Sequence, residues 1–117
     1  MSPASTSPDF NFPFEEPLHE VFPALHEAHN AWMSAIDSLQ APDRKTHELI
    51  RMVVTVVIRN PAGVRRHAQL AHEVGATWEE IMGSIMLAMP GGGVLCAVEA
   101  IPAAREGYEA ARAPDAE

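Results

Sequence analysis

Residues 43–58 read DRKTHELIRMVVTVVI, and this stretch decides the fold. Its apolar side chains recur at i, i+1, i+4 and i+5, which keeps one face of a helix apolar. The β-branched residues 53–58 would also suit a buried strand. However, the pattern begins at Arg44 and lasts about four turns, longer than a typical strand. With Asp43 in the position of an N-cap, the stretch predicts a helix.

The sequence before this stretch divides into an arm and a second amphipathic segment. Residues 1–17 contain four prolines, so we expect no regular element there and interpret them as an N-terminal arm. From residue 18 to residue 39, apolar side chains spaced by three and four predict one helix. Three aromatic residues of the arm would be costly to leave in water, so we expect them to lie against the core or a neighbouring subunit: Phe10, Phe12 and Phe14.

Three more helices are predicted downstream. Asn60 is placed as an N-cap ahead of a proline, and Gly75 closes the helix that follows. Thr77, with a glutamate three residues later, forms a capping box at the start of the next helix. That helix is expected to stop at the Pro-Gly-Gly-Gly sequence of residues 90–93. The last helix is predicted from Val94 to about Ala111, kinked at its internal proline.

Length and composition favour a single all-α domain. The chain has 117 residues, of which 47% are hydrophobic and 6% aromatic, so its core must consist mainly of Ala, Val, Leu, Ile and Met. These residues favour a helical bundle over a β-sandwich. We therefore predict one bundle of about five to six helices over residues 18–112, between the arm and an acidic tail at 113–117.

The charge pattern disfavours some partners and leaves others open. Eight Lys and Arg against sixteen Asp and Glu give a net charge of −8, which disfavours nucleic acid and anionic lipid as partners. Residues 41–70 nevertheless carry a local charge of +4. This concentration is equally compatible with ordinary surface ion pairs and with a site for an anion.

Cysteine usage and hydropathy bear on the cellular compartment. Cys96 is the single cysteine, which excludes an internal disulfide, a CxxC redox pair and a thiolate-rich metal site. No apolar run approaches the roughly 20 residues of a membrane span, and residues 1–17 lack the basic start and apolar stretch of a signal peptide. We therefore expect a cytoplasmic protein with no membrane partner, in which Cys96 is a small buried apolar residue.

Glu48 and His67 are the candidate catalytic residues. They fall on two consecutive helices joined by a tight Asn60-Pro61 turn, so we expect antiparallel neighbours that can bring a carboxylate and an imidazole together. In such a pair the carboxylate fixes the imidazole tautomer, and the other ring nitrogen can move a proton to or from a substrate. Judged by spacing alone, a glutamate and a histidine on neighbouring helices more often have structural roles. They cap a helix, form an ion pair on the surface, or include a core histidine whose ring nitrogens are hydrogen-bonded.

Three arginines near this pair are candidates for binding an anionic substrate. Arg51 follows Glu48 by three residues. Arg65 and Arg66 directly precede His67. Guanidinium groups can hold a carboxylate by two hydrogen bonds and can stabilise a developing enolate. We expect only one or two of the three arginines to point into a pocket.

The remaining histidines are interpreted mainly as structural residues. His19, His26 and His29 recur at i, i+7 and i+10, a spacing that could bind a divalent ion, but no carboxylate completes the set and we predict no metal. We interpret them as rim or pocket-lining residues, with His29 nearest to the apolar stripe and therefore a candidate substrate contact. His47 and His72 are predicted to lie on a solvated face.

The chain resembles a known family through four motifs. They are DRKTHELI at residues 43–50, Arg66-His67, GAT at residues 75–77 and EEI at residues 79–81. From about Phe14 to Ala111, this arrangement resembles the carboxymuconolactone decarboxylase and AhpD-like family. The resemblance implies an all-helical AhpD-like bundle that is an obligate oligomer, usually a trimer or a hexamer, with active sites near subunit contacts.

The resemblance also distinguishes two branches of the family. Peroxidase-type members carry a CxxC pair with a histidine and a glutamate. The histidine and glutamate correspond to His67 and Glu48, whereas the two cysteine positions fall on Asn60 and Gly63. Without a thiolate there is no nucleophile toward peroxide, so we predict that the chain is not a thiol peroxidase. The VRRH sequence that ends at His67 is more similar to the decarboxylase branch, which lacks the cysteine pair and acts on an anionic lactone.

The leading functional hypothesis is a cofactor-free lyase or isomerase that acts on a small anionic, carboxylated and possibly lactone substrate. In this hypothesis His67 is the general acid/base, Glu48 orients its ring and an arginine binds the substrate carboxylate. Two alternatives stay open: a biosynthetic cyclase or isomerase that reuses the pocket without losing carbon dioxide, and a non-catalytic ligand-binding oligomer. We expect a homo-oligomer, trimer or hexamer, with no cofactor.

Overall fold

The computed structural model describes residues 15–112, which contain six α-helices and no β-strand. The chain divides into two compact units, one ending at Gln40 and the other beginning at Ala41. The predicted all-α class is confirmed over the described residues. The helices are α1 (Glu15–Val21), α2 (Pro23–Asp37), α3 (Arg44–Val57), α4 (Pro61–Glu73), α5 (Trp78–Gly92) and α6 (Val94–Ala110).

The first unit contains two helices where the sequence pattern predicted one. Phe22 is the N-cap of α2 and Pro23 lies in its first turn, so the segment from residue 18 to residue 39 is broken here. Proline has no N–H to donate to a preceding turn and is best tolerated where a helix begins. Hydrogen bonds from Phe22 N to the Leu18 oxygen (2.8 Å) and from His26 N to the Phe22 oxygen (3.0 Å) flank the break.

The start of α1 also differs from the predicted arm boundary. α1 begins at Glu15, inside the stretch predicted to lack regular structure. Pro17 lies in its first turn, where a missing N–H costs no hydrogen bond. The predictions for the acidic tail and for the aromatic residues of the arm lie outside the described residues: 113–117, Phe10, Phe12 and Phe14.

Side-chain caps fix the starts of α3 and α4, as predicted. The Asp43 carboxylate accepts hydrogen bonds from the Thr46 backbone N (3.4 Å) and the Thr46 hydroxyl (2.7 Å). The Asn60 amide oxygen accepts a hydrogen bond from Gly63 N (3.2 Å). The β-branched stretch is therefore helical through Val57, and the short connection lets α4 pack against α3.

The predicted capping box at the start of α5 is present. Thr77 N donates to Glu80 Oε1 and Glu80 N donates to Thr77 Oγ1, both at 3.0 Å. Lys45 Nζ lies 2.9 Å from Glu80 Oε2. The same carboxylate therefore caps α5 and connects its first turn to the first turn of α3.

α5 ends within the Pro-Gly-Gly-Gly sequence, as predicted, although Pro90 and two of the glycines still belong to the helix. The helix continues through Pro90 to Gly92, and it ends at Gly93, whose φ of 90° is rarely adopted by residues with a side chain. The Gly93 N–H donates to the Met89 oxygen at 2.8 Å, so the proline removes only one donor from the last turn. α6 then continues past Pro102, in agreement with the predicted last helix.

The core of the second unit is built from small and medium-sized apolar side chains. Close contact between α6 and α4 depends on Gly107, because a Cβ atom there would collide with the Arg65 carbonyl oxygen. Cys96 is buried as predicted, and its Sγ lies 2.9 Å from the Gly93 carbonyl oxygen. The buried apolar residues are Met52, Val56, Val64, Ala68, Ala71, Ala76, Ile81, Ile85, Ala88, Cys96, Ala97, Ala100 and Ala104.

Candidate active site

α3 and α4 bring Glu48 and His67 into hydrogen-bond contact. Glu48 lies in the second turn of α3, and His67 lies near the middle of α4. Asn60, in the short connection between the two helices, is the N-cap of α4. His67 Nδ1 is 3.1 Å from Glu48 Oε1, the Glu48 side chain is fully buried, and 10% of the His67 side chain is exposed. A carboxylate in this position can fix the tautomer and the orientation of the ring.

The second carboxylate oxygen of Glu48 lies against Arg44. Arg44 Nη2 is 2.9 Å from Glu48 Oε2, and 38% of the arginine side chain is exposed. Ionising a carboxylate away from water is costly unless charged or hydrogen-bonding groups replace the lost hydration. The Glu48 carboxylate therefore lies between a cation on one oxygen and an imidazole on the other.

Buried apolar residues accompany the pair along both helices. Met52 follows Glu48 at i+4, and Val64 and Ala71 lie at i−3 and i+4 from His67; all three are buried. Residues at these spacings share a helix face, so the pair belongs to the face that each helix turns toward the core. Charge interactions in such low-dielectric surroundings are stronger than in water.

The arrangement assigns different roles to the two ring nitrogens of His67. An ionised Glu48 can only accept hydrogen bonds, so it is paired with Nδ1 as the donor. Nε2 then carries the lone pair that can accept a proton. The pair can thus take a proton at Nε2 while the carboxylate stabilises the imidazolium that forms.

The structure separates the three candidate arginines by exposure. Arg65 is 50% exposed, and its Nε lies 3.5 Å from Glu106 Oε1 of α6. Arg51 and Arg66 are half-buried. An exposed ion pair is screened by water, whereas a partly buried guanidinium attracts an anion more strongly. The charges of Arg51 and Arg66 are therefore less screened by water than that of Arg65.

The first unit carries the remaining histidine candidates on α1 and α2. His26 is buried, and its Nε2 is 3.3 Å from the amide nitrogen of Asn30. The His19 ring lies edge-on to His26, with ring centroids 5.2 Å apart. His29 is half-buried on α2. Its role as a substrate contact stays a prediction.

His47 and His72 do not lie on the solvated face predicted for them. His47 is only 7% exposed. His72 is half-buried, with its Nδ1 2.7 Å from the Ala76 carbonyl oxygen and its ring centroid 4.1 Å from that of Tyr108. The imidazole of His72 satisfies a backbone carbonyl in the turn after α4.

Arg44 is a functional candidate that the sequence analysis did not single out. The available signal was its i,i+4 spacing to Glu48, which makes the two side chains neighbours on a helix. The same spacing is common on exposed helix surfaces, so only the burial of Glu48 distinguishes this pair.

The two positions that correspond to the cysteines of the peroxidase branch help to shape the start of α4. Asn60 caps α4 through its hydrogen bond from Gly63 N. A Cβ atom on Gly63 would lie 2.6 Å from Thr55 Cγ2, so a larger residue there requires at least the Thr55 side chain to shift. Neither position carries a thiol.

The second unit is helical and holds a buried carboxylate–imidazole pair, and the chain has no CxxC pair. The model of the Carboxymuconolactone decarboxylase family matches residues 23–106, and the chain belongs to that family. Membership indicates a decarboxylase-like or AhpD-like role. No curated protein and no solved structure matches the chain. Within residues 15–112, no helix is both long and apolar enough to cross a membrane.

Proposed function

We propose that the protein is a cofactor-free lyase or isomerase that acts on a small anionic substrate with a carboxylate and possibly a lactone ring. The single observation that carries this proposal is the 3.1 Å contact between His67 Nδ1 and the fully buried Glu48 carboxylate. A helical scaffold has no need of a buried ionisable pair, which costs more to bury than apolar residues of the same size.

In this proposal His67 is the general acid/base and Glu48 orients its ring. Nε2 takes a proton from a substrate carbon or oxygen, and the Glu48 carboxylate stabilises the resulting imidazolium. The same nitrogen then returns the proton to another atom of the substrate. Arg51 or Arg66 holds the substrate carboxylate and stabilises negative charge that develops on an adjacent oxygen.

A biosynthetic cyclase or isomerase would use the same proton transfer without releasing carbon dioxide. The geometry of the Glu48–His67 pair supports both reactions equally, because proton transfer at Nε2 is common to them. Mass analysis of the product distinguishes the two, since only the decarboxylase reaction removes carbon dioxide from the substrate.

The proposal includes a cytoplasmic homo-oligomer, a trimer or a hexamer. It is supported by large apolar side chains that one copy leaves in water. On α3 these are Ile50 (51% exposed), Val54 (53%) and Val57 (45%). On α5 and α6 they are Leu87 (82%), Val94 (60%), Leu95 (63%) and Val98 (56%), and we call these four the α5–α6 surface.

The test of the proposed function is turnover of a panel of small carboxylated lactones and related acids by the parent and by His67→Ala. We expect His67→Ala to lose roughly 10²–10⁴-fold in kcat, the usual cost of removing a general acid/base. His72→Gln, on the same helix but bonded to a backbone carbonyl, is the control and keeps its activity. A folded His67→Ala protein as active as the parent would contradict the proposal and favour the ligand-binding alternative.

A further inference from the structure

Arg44 is the outer member of a chain of three charged or polar groups. Its Nη2 lies 2.9 Å from Glu48 Oε2, and Glu48 Oε1 lies 3.1 Å from His67 Nδ1. Arg44 and His67 therefore contact different oxygens of the same buried carboxylate. We propose that Arg44 is a positioning residue that sets the tautomer of His67 through Glu48.

A buried carboxyl group next to a neutral imidazole has two forms that differ by one proton, which the second form takes up from water. In the first, Glu48 is a carboxylate that accepts from Nδ1–H of His67, and Nε2 has the lone pair. In the second, Glu48 has taken a proton from water and donates it to Nδ1, and the ring hydrogen is on Nε2. Both forms keep the same 3.1 Å contact, so the contact alone does not select between them.

Burial and the cation act in opposite directions on this choice. The Glu48 side chain has no exposed surface, which favours the neutral acid. The positive charge of the guanidinium, 2.9 Å from Oε2, favours the carboxylate. Because the arginine side chain is 38% exposed, it keeps contact with water and remains charged at little cost. Arg44 thus supplies the charge that keeps Glu48 an acceptor.

The consequence for chemistry rests on the proposed function, in which Nε2 acts as a base. With Arg44 present, Nε2 has a lone pair and can remove a proton. Without Arg44, the second form places a hydrogen on Nε2. The ring then cannot accept a proton at Nε2 until that hydrogen leaves. Arg44 therefore contributes to proton transfer without contact to the substrate.

Lys45 offers a matched control for Arg44. It is the next residue of α3, it carries the same charge, and its Nζ lies 2.9 Å from Glu80 Oε2. The exposure of its side chain, 36%, is close to the 38% of Arg44. Lys45→Gln thus removes a cation and an ion pair from the same helical turn but leaves Glu48 and His67 in place.

The experiment is long-range ¹H–¹⁵N NMR of the histidine rings at a pH where imidazole is neutral, with the His67 signals assigned by their loss in His67→Gln. The parent and Lys45→Gln are expected to show the hydrogen of His67 on Nδ1. Arg44→Gln is expected to move most of it to Nε2, and Arg44→Lys to return most of it to Nδ1. Arg44→Met, which keeps the aliphatic stem, replaces Arg44→Gln if that variant does not fold.

A folded Arg44→Gln or Arg44→Met protein with the tautomer of the parent would overturn the inference. So would a change of the same size in Lys45→Gln. Once a substrate is known, kcat of Arg44→Gln is expected to fall, but by less than the roughly 10²–10⁴-fold expected for His67→Ala, with KM nearly unchanged. The NMR result needs no substrate, so it stands or fails separately from the His67→Ala test of the proposed function.

Discussion

Glu48 is the residue at which packing and chemistry make opposite demands. Its side chain is fully buried among the α3 residues that form the core, yet both of its oxygens lie against charged or polar groups. A glutamate in the core without such partners would be strongly destabilising. Its burial is therefore accompanied by a contact to the His67 imidazole on one oxygen and to the Arg44 guanidinium on the other.

Glu48→Gln is predicted to lower turnover by less than His67→Ala does. The amide fills the same space and can still form a hydrogen bond, but it lacks the charge that favours imidazolium. Steady-state kinetics measure the effect, and circular dichroism checks that helix content is retained. Activity equal to that of the parent would show that the charge of Glu48 has no part in the reaction.

The arginines are predicted to differ in their effect on substrate binding. Arg51→Gln and Arg66→Gln are expected to raise KM for an anionic substrate, with at least one of them standing out. Arg65→Gln is the matched control, because its guanidinium is 50% exposed and paired with Glu106. Equal effects of all three substitutions on KM would mean that general charge, and not a specific contact, attracts the substrate.

At the scale of the helices, replacing a glycine by alanine is predicted to have opposite effects on stability at Gly107 and at Gly83. A Cβ on Gly107 would collide with the Arg65 carbonyl oxygen and lie 3.1 Å from Gln69 N, so Gly107→Ala should push α6 away from α4. Overpacking of this kind costs about 1–3 kcal/mol. A Cβ on Gly83 meets no atom within 4 Å, and Gly83→Ala should stabilise α5 by about 0.5–1 kcal/mol.

Urea denaturation of the two glycine variants measures both effects under the same conditions. We expect the midpoint to fall for Gly107→Ala and to rise for Gly83→Ala. A rise for both variants would mean that helix propensity outweighs the contact between α6 and α4, and a fall for both would contradict the stabilisation expected at Gly83.

The capping box of α5 predicts a dependence of stability on acid pH. The hydrogen bond from the Thr77 backbone, followed by that from Lys45, lowers the pKa of the Glu80 carboxyl below its ordinary value of 4.5. A carboxyl whose pKa is lower in the folded state stabilises the fold above that ordinary value, and the contribution is lost as the pH falls through the folded-state pKa. Glu80→Gln should therefore make the free energy of unfolding less dependent on pH below about 4.5.

Unfolding measured between pH 7 and pH 3 tests this prediction. Glu79→Gln is the matched control, since Glu79 is the exposed neighbour of Glu80 in the first turn of α5. The acid-dependent loss of stability should be smaller in Glu80→Gln than in Glu79→Gln. An identical pH profile for the two variants would show that the capping box does not contribute to it.

Features governed by local rules could be predicted from the sequence. Asp43, Asn60 and Thr77 were recognised as helix starts because a capping side chain bonds to a backbone N–H only three residues away. The break at Pro23 was missed because the apolar spacing continues across it. The inclusion of Pro90 in α5 was missed because a proline near a helix end removes only one donor.

Features that depend on how the helices pack could not be predicted in the same way. The proximity of Glu48 and His67 followed from the tight turn between their helices. The burial of His47 and the contact of Arg44 with Glu48 did not, because neither spacing nor residue type indicates which polar face of α3 is covered. Arg65 illustrates the same point, since its partner Glu106 is on α6 and far away in sequence.

For the whole molecule, net charge and exposed apolar surface have opposite effects on association between copies of the chain. A net charge of −8 makes copies of the chain repel one another. Residues 81–104 nevertheless contain one charged side chain, Glu99, and its Oε1 accepts a hydrogen bond from Arg59 Nε at 2.9 Å. The α5–α6 surface lies in this segment, so a contact between copies there would add no unpaired acid to the interface.

Leu95→Glu is predicted to dissociate the homo-oligomer, because it places a carboxylate on the α5–α6 surface, where association would remove it from water. Ala110→Glu adds the same charge at an exposed position near the end of α6 and should leave the assembly unchanged. Sedimentation equilibrium at micromolar concentration reports the mass as multiples of 12.7 kDa. A folded parent of 12.7 kDa would contradict the oligomer itself. A Leu95→Glu protein with the mass of the parent would instead assign the contact to another face, such as the exposed Ile50 and Val54 of α3.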